Sequence, residues 1–122
     1  MRERLHRSLA STAALAADED IVEARLHGAE LAVAVEVGQV VTLRGVLRSV
    51  TYAPTSLRPQ LIAELYDGSA SVDLVWLGQR EISGIEPGRR LMVTGRVADD
   101  DAGTRLRIYN PAYTLLPNPH AS

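Results

Sequence analysis

Cysteine is missing from this chain of 122 residues. Its absence rules out disulfides, thiolate zinc sites and thiol catalysis, and it fits a reducing compartment. Lysine is missing as well, so all 13 basic residues are arginine. A GC-rich genome yields that bias without functional cause, whereas guanidinium forks suit phosphates and stack on bases. No apolar run nears the ~20 residues that span a bilayer, so no membrane association is expected. Arg2, Arg4 and Arg7 followed by Leu9 to Ala17 imitate a signal peptide only faintly, because Ser8, Ser11 and Thr12 dilute the stretch. The expected location is cytoplasmic.

An excess of positive charge is missing too. The net charge is −2, with four arginines against seven carboxylates in residues 1–38 and nine against eight in residues 39–122. Neither part is the strongly basic body of a protein that grips duplex DNA, so any binding must come from local placement. His6, His27 and His120 lie far apart in the chain, which gives a metal cluster or a general base no support. No nucleophile elbow, dinucleotide fingerprint or Gly-x-x-x-x-Gly-Lys phosphate loop occurs. The expectation is a protein that is not an enzyme, with no catalytic residues, no metal and no cofactor.

What the chain does have is a repeat. Val35-Glu36-Val37-Gly38-Gln39-Val40-Val41-Thr42-Leu43-Arg44-Gly45-Val46-Leu47 returns as Ile85-Glu86-Pro87-Gly88-Arg89-Arg90-Leu91-Met92-Val93-Thr94-Gly95-Arg96-Val97. Alternating apolar positions predict a strand in each copy. Gly45 and Gly95 predict that each strand bends or bulges halfway, and such coiled strands suit a small closed barrel.

Read along its length, the chain divides into a helical N-terminal segment at 1–34, a barrel at 35–116 and a flexible tail at 117–122. Leu5, Leu9 and Ala13 predict a helix over residues 1–17. Asp18-Glu19-Asp20 interrupts it, and Asp20 with Glu23 resembles a capping box opening a short helix that Gly28 closes. Strands follow at Val40 to about Tyr52, Gln60 to Tyr66, Ser71 to Leu77, Arg89 to Ala98 and Thr104 to about Tyr109. Asp67-Gly68 turns the first hairpin, Gly78 to Ile85 connects with room for one helical turn, and Asp99 to Gly103 forms a second hairpin loop. Pro111, Pro117 and Pro119 are expected to end regular structure. Five strands with that connector make the chain mainly β, a five-stranded Greek-key OB-fold barrel with an N-terminal helical segment; an SH3-like barrel is the alternative.

Tyr66-Asp67-Gly68-Ser69-Ala70-Ser71-Val72-Asp73-Leu74-Val75-Trp76, the second repeat copy from Glu86 to Val97, and Asn110-Pro111-Ala112-Tyr113 resemble the OB-fold wedge domain of RecG-type helicases. They are still more similar to the small stand-alone OB-fold proteins of high-GC bacteria. The likeness spans about Val35 to Leu116 and implies non-catalytic binding of single-stranded or branched DNA, with RNA as a further candidate. Ala70 departs from the family turn, which usually has glycine there. The helicase motor is absent, so the chain can only bind, or serve another protein.

OB-folds hold strands on the outer face of their first three strands, combining a cationic track with aromatic platforms. The candidates are Arg44, Arg48, Tyr52, Arg58 and Tyr66 in one group, and Arg96, Arg105, Arg107 and Tyr109 in a second. Trp76 alternates in phase with Val72 and Leu74 and reads as core; Tyr113 reads as packing on the barrel end. Asp99-Asp100-Asp101, Glu64 and Asp73 oppose a polyanion, and the triple aspartate reads as a polar loop without EF-hand spacing. The competing expectation is a protein-interaction adaptor, docking a partner in DNA repair or another pathway through the acidic N-terminal segment or an exposed sheet face.

Overall fold

A computed structural model describes residues 2–54, 58–100 and 102–117, with side chains from Ala14 onward. The order is α1 (Arg2–Leu26), a 3₁₀ turn at Ala32–Ala34, β1 (Val40–Ala53), β2 (Gln60–Tyr66), β3 (Ser71–Leu77), β4 (Arg90–Asp99), β5 (Leu106–Tyr109) and β6 (Ala112–Leu115). The sheet runs β1-β2-β3-β5-β4-β6, and an added β1–β4 pairing closes it. That is a closed β-barrel of OB-fold type, with β5 parallel to β3 and every other pair antiparallel. Period-two burial fills it: Val41, Leu43 and Leu47 of β1, Leu61, Ala63 and Leu65 of β2, and Leu91 and Val93 of β4 all point inward. Trp76 joins this core, as its phase predicts, and its indole N–H donates to the Pro111 carbonyl at 3.3 Å.

The sequence repeat is a pseudo-dyad. Leu43 and Val93 occupy equivalent places in the two copies and are also paired with each other across the β1–β4 ladder. The turns that open the two strands reciprocate: Gly38 N–H donates to Val97 O and Val97 N–H to Gln39 O, while Gly88 N–H donates to Leu47 O and Leu47 N–H to Arg89 O. Each turn needs a positive φ at its third residue, met by Gly38 at 95° and Gly88 at 87°.

The inner glycines serve changes of partner rather than bulges. β1 leaves β4 and joins β2 at Val46, which is opposite both Arg90 and Tyr66. Beside that switch, a Cβ on Gly45 would collide with the Tyr66 carbonyl oxygen. Gly95 lies where β4 exchanges β6 for β5, and a Cβ there would strike Ile108. The bulge in β1 falls instead at Arg48, between Leu47 and Ser49.

Several expectations need correction. α1 does not break at Asp18-Glu19-Asp20: it is continuous to Leu26, and Asp20 caps nothing but is buried against Arg90 at 2.7 Å. Gly28 does close it, in a Schellman arrangement: Ala29 N–H reaches Ala24 O and Gly28 N–H reaches Arg25 O. The connector after β3 holds turns and no helix, and its Ile82 and Ile85 pack on the core. Regular structure does not end at Pro111. Asn110, at φ 48°, kinks the chain, and β6 resumes along the same edge of β4 with its register slipped by one residue. Tyr113 sits in β6, its ring edge-on to Trp76 at 5.8 Å. Residues 118–122 of the expected tail lie outside the described residues, as do 55–57 of the β1–β2 loop and Asp101.

Asp67 ties the N-terminal segment to the barrel. It is fully buried, and its Oδ1 accepts from Ser69 N–H, Ser69 O–H and Ala70 N–H. Its Oδ2 accepts from Ala32 N–H at 2.6 Å. Four donors on one carboxylate compensate its burial. Ala70 adopts no positive φ, so the residue that departs from the family turn is accommodated without strain.

Candidate nucleic-acid interface

The outer face of β1, β2, β3 and β5 carries the strongest constellation. At its β1 edge the bulge turns Arg48 outward, and its guanidinium carbon lies 3.5 Å from the centre of the Tyr66 ring. Tyr66 is half-buried, and its hydroxyl donates to Gly68 O at 3.2 Å, which fixes the ring. The exposed guanidinium thus lies over a held phenol at cation–π distance, presenting a cation to solvent.

Moving across the face, Glu64 of β2 accepts from the Ser71 hydroxyl at 2.7 Å. Asp73 of β3 receives both forks of Arg105, at 2.8 and 3.0 Å. This pair holds the Arg105 guanidinium above its ordinary range, the hydrogen bond to Asp73 being the main cause. The parallel β3–β5 register sets Arg107 beside Asp73 and exposed Tyr109 beside Val75. Arg107 also reaches the Tyr109 hydroxyl at 3.5 Å, so cation and ring again share one spot.

The candidates do not all share this face. Tyr52 is displaced by the bulge: beyond Arg48 the phase of β1 reverses, so Val50 packs on the core and Tyr52 pairs with buried Leu61. Its ring emerges at the barrel rim, with the Arg80 guanidinium 5.7 Å from its centre. Sequence reasoning missed Arg80, since nothing local links the connector to the end of β1. Arg44 lies under α1, 3.6 Å from Glu23. Arg96 donates to Gly38 O at 2.6 Å. Arg58 is exposed just before β2. Arg90, also unforeseen, is held by Asp20.

The acidic loop is built for itself. Asp100 accepts from Thr104 N–H at 2.8 Å and Thr104 O–H at 2.9 Å, and the backbone bond, the larger cause, lowers its pKa below the ordinary carboxylate value. Among the described residues no cluster of His, Asp and Glu is arranged to hold a metal ion, and no helix is long and apolar enough to cross a membrane.

A closed barrel with paired arginines and tyrosines on its outer face defines an OB-fold binding domain. The chain belongs to the family of OB-fold nucleic-acid-binding domains of the tRNA anticodon type, whose profile matches residues 19–116. It is also similar to part of a protein in the solved structure of RecG bound to a three-way DNA junction. There the TM-score is 0.56 at 26% identity, covering 69% of this chain and 12% of the other. The chain thus corresponds to a small part of that longer protein. No curated protein matches the chain.

Proposed function

We propose that this domain is a non-catalytic cytoplasmic module that binds single-stranded or branched DNA weakly and in a salt-sensitive way. Arg48, Tyr66, Arg107 and Tyr109 make the principal contacts, with Arg58, Arg96 and Arg105 flanking them. The observation that carries this reading is the Arg48–Tyr66 stack on the outer face of a nucleic-acid-binding fold. The likeness to part of RecG, solved on a three-way junction, supports branched DNA as a ligand class.

Two stacked platforms contribute about 4 kcal/mol, against about 8 kcal/mol for micromolar affinity. Three or four arginine–phosphate contacts supply the remainder and set a salt slope of about −2 to −3 on a single strand. Glu64 and Asp73 keep the affinity from rising further. Fluorescence anisotropy with labelled single-stranded DNA, single-stranded RNA and a forked duplex, at low and physiological salt, tests this. Micromolar binding with that slope supports the reading; no binding to any probe at low salt rejects it.

One observation favours the adaptor reading. Leu15, Val22 and Leu26 of α1 recur at helical spacing and are 61%, 54% and 73% exposed, a stripe that a protein partner would cover.

A further inference from the structure

The DNA-binding face does not stop at Arg48 and Tyr66. Val46 of β1 is flanked by Tyr66 on β2 and by Arg90 on β4, and all three project outward in the same register. Adjacent strands lie about 4.8 Å apart, so Arg90 stands about 10 Å from Tyr66 across the sheet. Arg44 is the next outward residue of β1 before Val46. Arg44 and Arg90 therefore extend the Arg48–Tyr66 platform onto the β1–β4 side of the barrel.

This extension is where α1 lies. Asp20 Oδ1 takes Arg90 at 2.7 Å and Glu23 Oε2 takes Arg44 at 3.6 Å. Asp18 and Glu19 line the same cleft, an opening of about 470 Å³ between the helix and the barrel. The helix is seated by small contacts. Ala24 is buried, and Gly68 fits under Ala17 and Ile21 with no room for a Cβ. Its larger apolar residues Leu15, Val22 and Leu26 are exposed instead. Glu23 is itself half-exposed and shared with His27 at 3.4 Å, so its hold on Arg44 is an exposed, screened ion pair.

We infer that Arg44 and Arg90 form a second phosphate-binding site for the DNA strand, and that the Asp20 and Glu23 carboxylates of α1 occupy it as internal phosphate mimics. The inference rests on the strand-binding reading above and extends it. A bound strand would meet the platform at Tyr66 and then reach two arginines already neutralised by the chain's own acids. When α1 gives way, the site lengthens by two phosphates. Sequence reading assigned Arg44 to the ligand but could not see that a helix carboxylate occupies it.

The test is the double variant Asp20→Asn/Glu23→Gln, which keeps hydrogen-bonding side chains while removing both charges. Anisotropy with labelled single-stranded DNA is measured across a salt series, beside wild type, the same variant carrying Arg44→Ala, and Glu23→Gln alone. Thermal melts followed by circular dichroism establish that each variant is folded, and Glu23→Gln stands in if the buried Asp20 proves necessary for folding. The double variant is expected to bind about fivefold more tightly at low salt. Its salt slope should steepen by about 1.4, at about 0.7 per phosphate on a single strand. Adding Arg44→Ala should remove about half of that gain.

Folded variants that bind with wild-type affinity and slope overturn the inference while leaving the strand-binding reading intact. A gain that survives Arg44→Ala in full also overturns it, since repulsion by the helix in general would then be the cause. If neither wild type nor variant binds any strand at low salt, the strand-binding reading itself fails, and the inference with it.

Discussion

Replacing Arg48 with alanine removes at once both parts of the proposed platform, the cationic plane and the phosphate partner. The guanidinium carbon lies 3.5 Å from the centre of the Tyr66 ring; on the proposed reading the pair takes a base, a stack being worth about 1–3 kcal/mol. If Arg48 supplies the outer surface of that stack, Arg48→Ala weakens single-strand binding by about 30-fold, the middle of that range. The salt slope falls by about 0.7, one phosphate contact. Arg48→Lys separates the two effects: it retains the charge and so the slope, but it loses the plane, and affinity falls without a change in slope. Anisotropy titrations over a salt series read both quantities. The fold should be little affected, because an exposed cation–π contact contributes only about 0.5–1 kcal/mol. If Arg48→Ala binds within twofold of wild type while remaining folded, the platform is elsewhere. If Arg48→Lys is indistinguishable from wild type, charge alone accounts for the site and the stacking argument fails.

Three further outcomes are expected. Asp67→Ala strips four hydrogen bonds from a buried carboxylate and leaves Ala32 N–H without its partner; a loss of about 3 kcal/mol is expected in urea unfolding, with an unchanged m-value. Asp67→Asn should fall between the two, because its amide nitrogen would face a donor. Gly45→Ala drives a methyl into the Tyr66 carbonyl and should cost more than about 2 kcal/mol, whereas Gly38→Ala, with open space around it and only a positive φ to strain, should cost about 1 kcal/mol; equal melting temperatures for the two would refute the close-approach argument. Asp100 should titrate below the ordinary value of 3.8, since its charged form accepts from Thr104. Its contribution to stability is present above the unfolded pKa and is lost as pH falls through the depressed one. NMR titration of its carboxyl carbon, with and without Thr104→Val, checks this.

The features legible in the sequence were those with a short period. β2 and β3 end where alternation, Asp67-Gly68 and Gly78 say they should, because inward and outward positions differ in chemistry along every step. The bulge at Arg48 was hidden for the same reason: Val50 and Tyr52 suit either face, so a reversal of phase leaves no local mark. The acidic run Asp18-Glu19-Asp20 read as a break because the partner of Asp20 is Arg90, a residue distant in the chain and near only in the fold. Pro111 read as a terminus because proline lacks a ladder donor. It sits at the kink, where its carbonyl takes the Trp76 indole, and β6 resumes on the residue after it. On the outer face, the outward phase of Tyr66 in β2 and of Arg107 and Tyr109 in β5 was legible. The cover over Arg44, the capture of Arg105 by Asp73 and the approach of Arg80 to Tyr52 were not, since all three are long-range pairings.

The pseudo-dyad separates what builds the barrel from what is available for binding. Where the two copies agree, in their glycines, their acidic turn residue and their apolar inward positions, the shared residue closes turns, admits the crossing strand or fills the core. The outward positions break the symmetry: Val40 answers to Arg90, Arg44 to Thr94, Val46 to Arg96 and Arg48 to Ala98. Strand pairing by itself needs no cation at these places, since the twin strand pairs without one, yet three of the four arginines have partners within the protein: Asp20 for Arg90, Glu23 for Arg44 and Gly38 O for Arg96. Arg48 rests instead on a ring, its guanidinium carbon 3.5 Å from the Tyr66 centroid, so the proposed strand contact at Arg48 displaces no carboxylate or carbonyl. The pseudo-dyad is not exact at the central position, because Arg48 lies at the β1 bulge whereas Ala98 sits in an unbroken ladder with β5. A thermal melt of Arg48→Ala is therefore the control that separates loss of a ligand contact from loss of the bulge.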